Sequence, residues 1–218
     1  MLNYSRSEAP CRTEVHAAMI KSLLEGNRRF LANEYNTHLD YYKSIAQAQA
    51  PTVLWIGCSD SRVSESIITD SMPGTIFVHR NVANIVAFND VNVAAIINYA
   101  VNYLHIPDIV VCGHTRCGGI AALDADLHDP YIADWLVIAS GARDAVNRIA
   151  AERPLTPEER HRLLVEENVK LQIRHLKDLS IIKYRRPDEL VPRIHGWVYD
   201  VDTGRIEVLV DGHATGAS

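Results

Sequence analysis

TVLWIGCSDSR, residues Thr52 to Arg62, is the segment from which the rest of the chain can be read. Val53, Leu54, Trp55 and Ile56 form an apolar run too short for a helix, and it ends in Gly57 and a polar cluster. That pattern predicts a strand buried on both faces. Cys58, Asp60 and Arg62 then stand at its C-terminal end, the edge at which open α/β sheets bind ligands. Two readings are open at this point. The three residues form a site, or Cys58 is a packed thiol beside a loop ion pair.

Two further short runs repeat the pattern. Thr75 to Val78 ends in His79-Arg80-Asn81-Val82-Ala83-Asn84, and Ile109 to Cys112 runs into Gly113-His114-Thr115-Arg116-Cys117-Gly118-Gly119. Ser64 to Asp70 reads as a short helix. Between Asp90 and Leu104 the apolar positions Val93, Ile96, Ile97, Ala100, Val101 and Leu104 keep helical spacing. Strand, helix, strand is the arrangement of a parallel sheet. A helix beginning near Ile120 places Cys117 at a helix N-terminus, which favours a thiolate, whereas Cys112 reads as packing. Tyr131 to Ile149 reads as one helix. Thr156-Pro157-Glu158-Glu159 is a capping box with proline in the first turn, and Val165, Val169, Ile173 and Leu176 supply the buried stripe of the helix it opens. Arg193 to Tyr199 and Arg205 to Val210, joined by Asp202-Thr203-Gly204, predict a hairpin. One of its strands is expected at the edge of the parallel sheet and the other antiparallel to it. At the other end, Thr13 to Leu31 predicts a helix with a break or kink at Gly26-Asn27. Its Val15, Met19 and Leu23 stripe either packs on the chain's own core or docks as an arm on another subunit.

With 218 residues, 47% of them hydrophobic, the chain can build one domain with a core of its own. A net charge of −5 and the lack of any Lys/Arg block leave no electrostatic footprint for nucleic acid. No apolar run reaches the roughly 20 residues of a membrane span. The first 12 residues are expected to be flexible. Arg6, Arg12, Ser5 and Ser7 lean toward a transit segment and Glu8 and Glu14 against it, so a cytoplasmic location is expected. Four cysteines (Cys11, Cys58, Cys112, Cys117) are too few for a disulfide scaffold and read as reduced thiols or metal ligands.

Cys58 from the first strand therefore meets His114 and Cys117 from the third at one sheet edge. A Cys2His set suits Zn²⁺ and leaves a fourth position for chemistry. With Cys58-Ser59-Asp60-Ser61-Arg62, His79 to Asn84, Gly113-His114-x-x-Cys117-Gly118-Gly119 and His195-Gly196-Trp197-Val198-Tyr199 in this order, the chain resembles the β-class carbonic anhydrases from about Val15 to Val210. The resemblance implies a four-stranded parallel sheet flanked by helices, with an added antiparallel C-terminal edge strand and an N-terminal helical arm at residues 13–33. It implies one Zn²⁺ per chain on Cys58, His114 and Cys117, a catalytic pair Asp60 and Arg62, and a substrate cleft lined by Gln49, Phe77, Val82, Tyr99 and Gly118. The activity implied is reversible hydration of CO2 to bicarbonate by a zinc-bound hydroxide, in a homodimer or dimer of dimers.

One subgroup of that family carries a non-catalytic bicarbonate pocket, and Trp55, Arg80 and Tyr99 stand at matching positions. Anion binding beside Arg80, or low pH, is then expected to favour a closed state in which Asp60 takes the fourth metal position. The plainer reading makes Trp55 core and Arg80 a structural cation. Three other functions compete. A structural zinc site would need a fourth ligand, for which only Asp60 is at hand; a nucleotide-binding domain would need a G-x-G-x-x-G or Walker loop, and none follows a strand. Relatives that hydrolyse carbonyl sulfide or carbon disulfide share the motifs. The sequence assigns no role to Arg116 and singles out no proton shuttle.

Overall fold

The apolar run after Pro51 is strand β1 (Val53–Cys58). Beside it the computed structural model, which describes residues 12–186 and 188–213, has β2 (Ile76–Asn81), β3 (Asp108–His114), β4 (Arg193–Tyr199) and β5 (Ile206–Val210). The order is β2-β1-β3-β4-β5, with four parallel strands and β5 antiparallel to β4. β2 lies on one side of β1 and β3 on the other, so a crevice opens at the C-terminal ends of β1 and β3. This is a topological switch point, where doubly wound sheets place their ligands. Both β2 and β3 run further than their apolar residues suggest. Arg80 pairs in register with Gly57, and His114 with Tyr199, so these polar side chains are aimed by a sheet ladder and not by a loop.

Two compact units divide between Gln49 and Ala50. The first is helical: α1 (Arg12–Phe30), a π-helical turn (Leu31–Tyr35) and α2 (Leu39–Ile45). Its aromatic cluster joins Phe30, Tyr35 and Tyr42, with Tyr35 and Tyr42 stacked at 4.8 Å. The break expected at Gly26-Asn27 does not occur. α1 runs through both residues, because glycine in a helix interior costs only about 1 kcal/mol and flanking residues of good propensity carry it; the irregular turn comes at Leu31–Tyr35. Met19, Ile20, Leu23 and Leu24 are exposed in the single chain. The expectation of a flexible leader falls, up to residue 11, outside the described residues.

In the second unit α3 (Glu65–Ile68) and α4 (Val91–Asn98) follow β1 and β2; α5 (Gly118–Ala121), α6 (Pro130–Leu136), α7 (Ser140–Glu152), α8 (Pro157–Asp178) and α9 (Ser180–Lys183) lie between β3 and β4. Asp90 caps α4 by accepting the Asn92 N–H at 2.9 Å. The capping box of α8 is complete: Thr156 Oγ1 accepts the Glu159 N–H at 3.2 Å and Glu159 Oε2 accepts that of Thr156 at 2.9 Å. The single helix expected over Tyr131 to Ile149 is two, α6 and α7. A 3₁₀ turn at Val137–Ala139 separates them, and Leu136, Ala139 and Val146 reach the same core.

Strand alternation sorts the core into two layers. Leu54, Ile56, Ile109 and Val111 pack with Ile97 of α4 and Val165 and Val169 of α8. On the opposite face Trp55, Val110 and Cys112 pack with Ile68, Ile76, Trp197 and Tyr199. Cys112 is packing, as its place in the strand suggests, and burial pushes its thiol up to about 12.

Candidate metal centre

Cys58 closes β1, His114 closes β3, and Cys117 caps α5 three residues later. All three are buried, their ligand atoms lie within 4.8 Å of one another, and the two sulfurs are 3.9 Å apart. Two backbone features make this approach possible. A Cβ at Gly113 would come 2.8 Å from Val169 Cγ2 and 3.2 Å from Val165 Cγ1, so only glycine lets α8 lie on β3 one residue before His114. Arg116 adopts a left-handed φ of 56°, uncommon for a residue with a Cβ, and brings Cys117 back toward His114.

The donor set fits zinc. His114 Nδ1 lies 2.9 Å from the Thr115 carbonyl. An Nδ1–H donated there leaves Nε2 with its lone pair, and among the described residues that buried atom has no hydrogen-bond partner. The two thiols lie within hydrogen-bonding distance of each other. Cys58 is lowered to about 4, first by the hydrogen bond from Cys117 and then by His114 and the Ala83 and Asp60 amides. Cys117 is raised by the same bond, by burial and by the charge on Cys58, and the Ile120 and Gly119 amides only partly offset this. A zinc ion would be held by the two thiolates and the His114 Nε2 lone pair, with the thiol protons given up.

Asp60 is held away from this cluster. Its Oδ1 accepts from Arg62 Nε at 2.9 Å and from the Arg62 amide at 2.9 Å, and its Oδ2 from Arg62 Nη2 at 2.7 Å. The Arg62 guanidinium, helped by the amide and His114, holds the carboxyl far below the usual carboxylate range. Oδ2 is still only 3.8 Å from His114 Nε2. The same Arg62 Nη2 also donates to the Arg116 carbonyl at 3.1 Å, while Arg116 Nε reaches Asp202 Oδ2 at 2.7 Å. Arg116 thus links the ligand turn to Arg62 and to the β4–β5 turn. The sequence hid this role because Asp202 lies 86 residues away.

The residues expected to line a cleft stand as follows. Phe77 and Tyr99 meet with ring centroids 5.9 Å apart. Val82 is partly exposed, and a Cβ on Gly119 would lie 3.0 Å from Val82 Cγ1. A Cβ on Gly118 would meet nothing within 4 Å, which leaves open space at the ligand turn. Gln49 is exposed at the end of the N-terminal unit.

The expected trio of Trp55, Arg80 and Tyr99 is not assembled within the chain. Alternation puts Trp55 on the face of Trp197 and Tyr199, whereas Tyr99 contacts Phe77, which packs into the core on the opposite face. The tyrosine that shares Trp55's layer is Tyr199. Arg80 braces the site: its Nε donates to the Cys58 carbonyl at 2.8 Å and its Nη2 to that of Asp60 at 2.5 Å.

A second group, Asp108, His195 and His213, lies at the other end of the strands. Arg193 grips both Asp108 oxygens at 2.7 and 2.6 Å, and His195 spans Asp108 and the Gly212 amide at 3.0 and 3.1 Å. Asp108 and His195 thus spend their polar atoms on each other, on Arg193 and on the Gly212 amide.

The carbonic anhydrase family profile matches residues 53–206. A carbonic anhydrase of Pseudomonas aeruginosa is 38% identical over 196 residues, covering 87% of each chain. One of Synechococcus elongatus is 37% identical over 196 residues, 86% of this chain and 70% of that one. Among solved structures, a tetrameric β-carbonic anhydrase of Sordaria macrospora superposes with a TM-score of 0.82 at 32% identity, over 89% of this chain and 98% of its own. The Coccomyxa β-carbonic anhydrase bound to acetazolamide gives 0.81 at 31% identity, over 87% of this chain and 86% of its own. Profile, relatives, fold and the Cys2His cluster agree: the chain belongs to the β-class carbonic anhydrases, the family that hydrates carbon dioxide.

Proposed function

We propose that the chain interconverts CO2 and bicarbonate at one zinc ion held by Cys58, His114 and Cys117, with Asp60 and Arg62 as the pair that orients the reacting water. The observation that carries this reading is the bare, buried His114 Nε2 between two thiols, with the nearest carboxylate withheld by Arg62. Zinc, when bound, supplies the Lewis acidity that makes a nucleophile of water near neutral pH. The protein supplies the rest. Asp60 stays ionised, so Oδ2 can accept a hydrogen bond from the reacting water and turn its lone pair toward the carbon of CO2. Arg62 keeps both carboxylate oxygens occupied, which prevents Asp60 from becoming a competing ligand. Val82, Phe77 and Tyr99 offer apolar surface suited to an apolar triatomic. The Arg80 hydrogen bonds to the Cys58 and Asp60 carbonyls hold donor and acceptor in register.

The exposed Met19, Ile20, Leu23 and Leu24 face of α1 supports a homodimer or dimer of dimers, with that face buried on a second copy. Sulfurs 3.9 Å apart suit a reducing compartment such as the cytoplasm. Metal analysis with stopped-flow CO2 hydration tests the assignment. Wild type should carry one zinc per chain, and Cys117→Ser should lose both zinc and activity. Full zinc and full turnover in Cys117→Ser would defeat the reading, and faster turnover of carbonyl sulfide than of CO2, measured side by side, would redirect it.

A further inference from the structure

The turn Val82–Asn84 touches both ligand-bearing segments, yet side chains from elsewhere fix its shape. Ala83 and Asn84 have φ of 64° and 48°, a conformation that residues with a Cβ rarely adopt. The backbone groups around them are taken up by side chains in turn. Trp135 Nε1 donates to the Val82 carbonyl at 2.8 Å, and Asn168 Nδ2 to that of Ala83 at 3.0 Å. Asn81 brackets Ile85, accepting its N–H and donating to its carbonyl, both at 2.7 Å. Gln172 Oε1 accepts the Val86 N–H at 2.8 Å, and Gln172 Nε2 donates to Asn168 Oδ1 at 2.8 Å. Asn168 and Gln172 are 1% and 0% exposed. Amides buried to that degree are tolerated because their partners are in place, and the linked pair accepts one arrangement of the turn and no other.

The turn hands that arrangement to the metal centre at two points. The Ala83 N–H is directed at the Cys58 sulfur. On the other side a Cβ at Gly119 would meet Val82 Cγ1 at 3.0 Å and the Ala83 Cβ at 3.3 Å, so the turn lies directly on the loop that follows Cys117. Resting on the assignment of Cys58, His114 and Cys117 as a zinc centre, we propose that Asn168 and Gln172 of α8 are positioning residues for that centre. Through the left-handed turn they hold the Ala83 N–H on the Cys58 sulfur and Val82 against the Cys117 loop.

The test compares Asn168→Leu and Gln172→Met, which keep volume and remove the hydrogen bonds, with Leu164→Ala, a core truncation on the same helix. Zinc transfer to excess EDTA is followed over time, and the sulfur-to-cobalt charge-transfer absorption is recorded after Co²⁺ substitution. We expect zinc release at least tenfold faster and a shifted cobalt spectrum in both ladder variants, with kcat lowered more than KM, and neither metal readout changed in Leu164→Ala. If Asn168→Leu does not fold, Gln172→Met carries the comparison. Wild-type release rates and spectra in a folded ladder variant would overturn the inference while leaving the zinc assignment standing. Equal changes in Leu164→Ala would also overturn it, by reducing the effect to lost stability. A wild-type protein that takes up neither metal would overturn both.

Discussion

At the metal centre one carboxylate has two available partners. Asp60 lies 3.8 Å from the bare nitrogen of His114, yet both its oxygens are gripped by Arg62. Arg62→Ala therefore removes the restraint and frees Asp60 to occupy the fourth metal position, while Asp60→Asn removes the negative charge and puts an NH2 donor in place of one acceptor oxygen, and leaves the metal. Both should keep zinc and lose about 10²–10⁴ in kcat, the span of a well-placed proton-handling group. Stopped-flow hydration assays paired with metal analysis check this, and near-wild-type rates in both variants would remove the pair from the mechanism. Because Arg62 holds the Asp60 carboxyl far below the usual range, it is ionised throughout the working pH range. The acid limb of the rate profile thus belongs to another group, and its midpoint should stay in place in the residual activity of Asp60→Asn.

Among the elements, α8 carries more than its own stability. Its capping box starts it cleanly, and Thr156→Ala should cost about 1 kcal/mol, read from urea unfolding. Val165 and Val169 meet the backbone at Gly113, and Asn168 and Gln172 meet the turn after β2, so one helix indexes both the strand that carries His114 and the turn that lies on the metal centre. Gly113→Ala would push a Cβ to 2.8 Å from Val169 Cγ2. Overpacking of this kind costs about 1–3 kcal/mol, and here it displaces His114 as well. The expected result is a lower urea midpoint and weaker zinc retention, with the double variant Gly113→Ala/Val169→Ala recovering much of both. A double variant no better than the single one would mean that α8 does not set the position of β3.

For the molecule as a whole, pH acts through buried histidines and paired carboxylates. Burial holds His79, His161 and His175 below the ordinary imidazole value, which is about 6.5. The unfolded chain then binds protons that the fold does not, so their contribution is complete above about pH 6.5 and is lost as pH falls toward the lower folded values. Asp60, Asp108 and Asp124 are lowered chiefly by Arg62, Arg193 and Arg160. Their contribution is complete above about pH 4 and is lost below it. Urea midpoints should therefore fall in two stages, from pH 7 to 5 and again below 4, with the first stage shallower in His175→Gln. A flat profile between pH 7 and 5 would contradict this. Sedimentation should show at least a dimer, because the α1 face leaves four large apolar side chains in water; an active monomer would rule that assembly out.

Local patterns in the sequence determined the strand order's raw material, the capping box, the closing hairpin and the three residues of the Cys2His cluster, since each is written in neighbouring residues: an apolar run ending in Cys58, a tight His114-x-x-Cys117 turn. Tertiary structure alone decided the rest. Which face of β1 a residue occupies separates Trp55 from Tyr99 and brings Tyr199 in its place. The purpose of Arg116 and the support of the Ala83–Asn84 turn depend on partners about 85 residues away, such as Asp202, Asn168 and Gln172. A polar side chain inside a helical stripe has no local sign of what it binds. Its partner is a backbone group whose place is set only when the sheet and α8 have packed, and burial then makes that hydrogen bond obligatory.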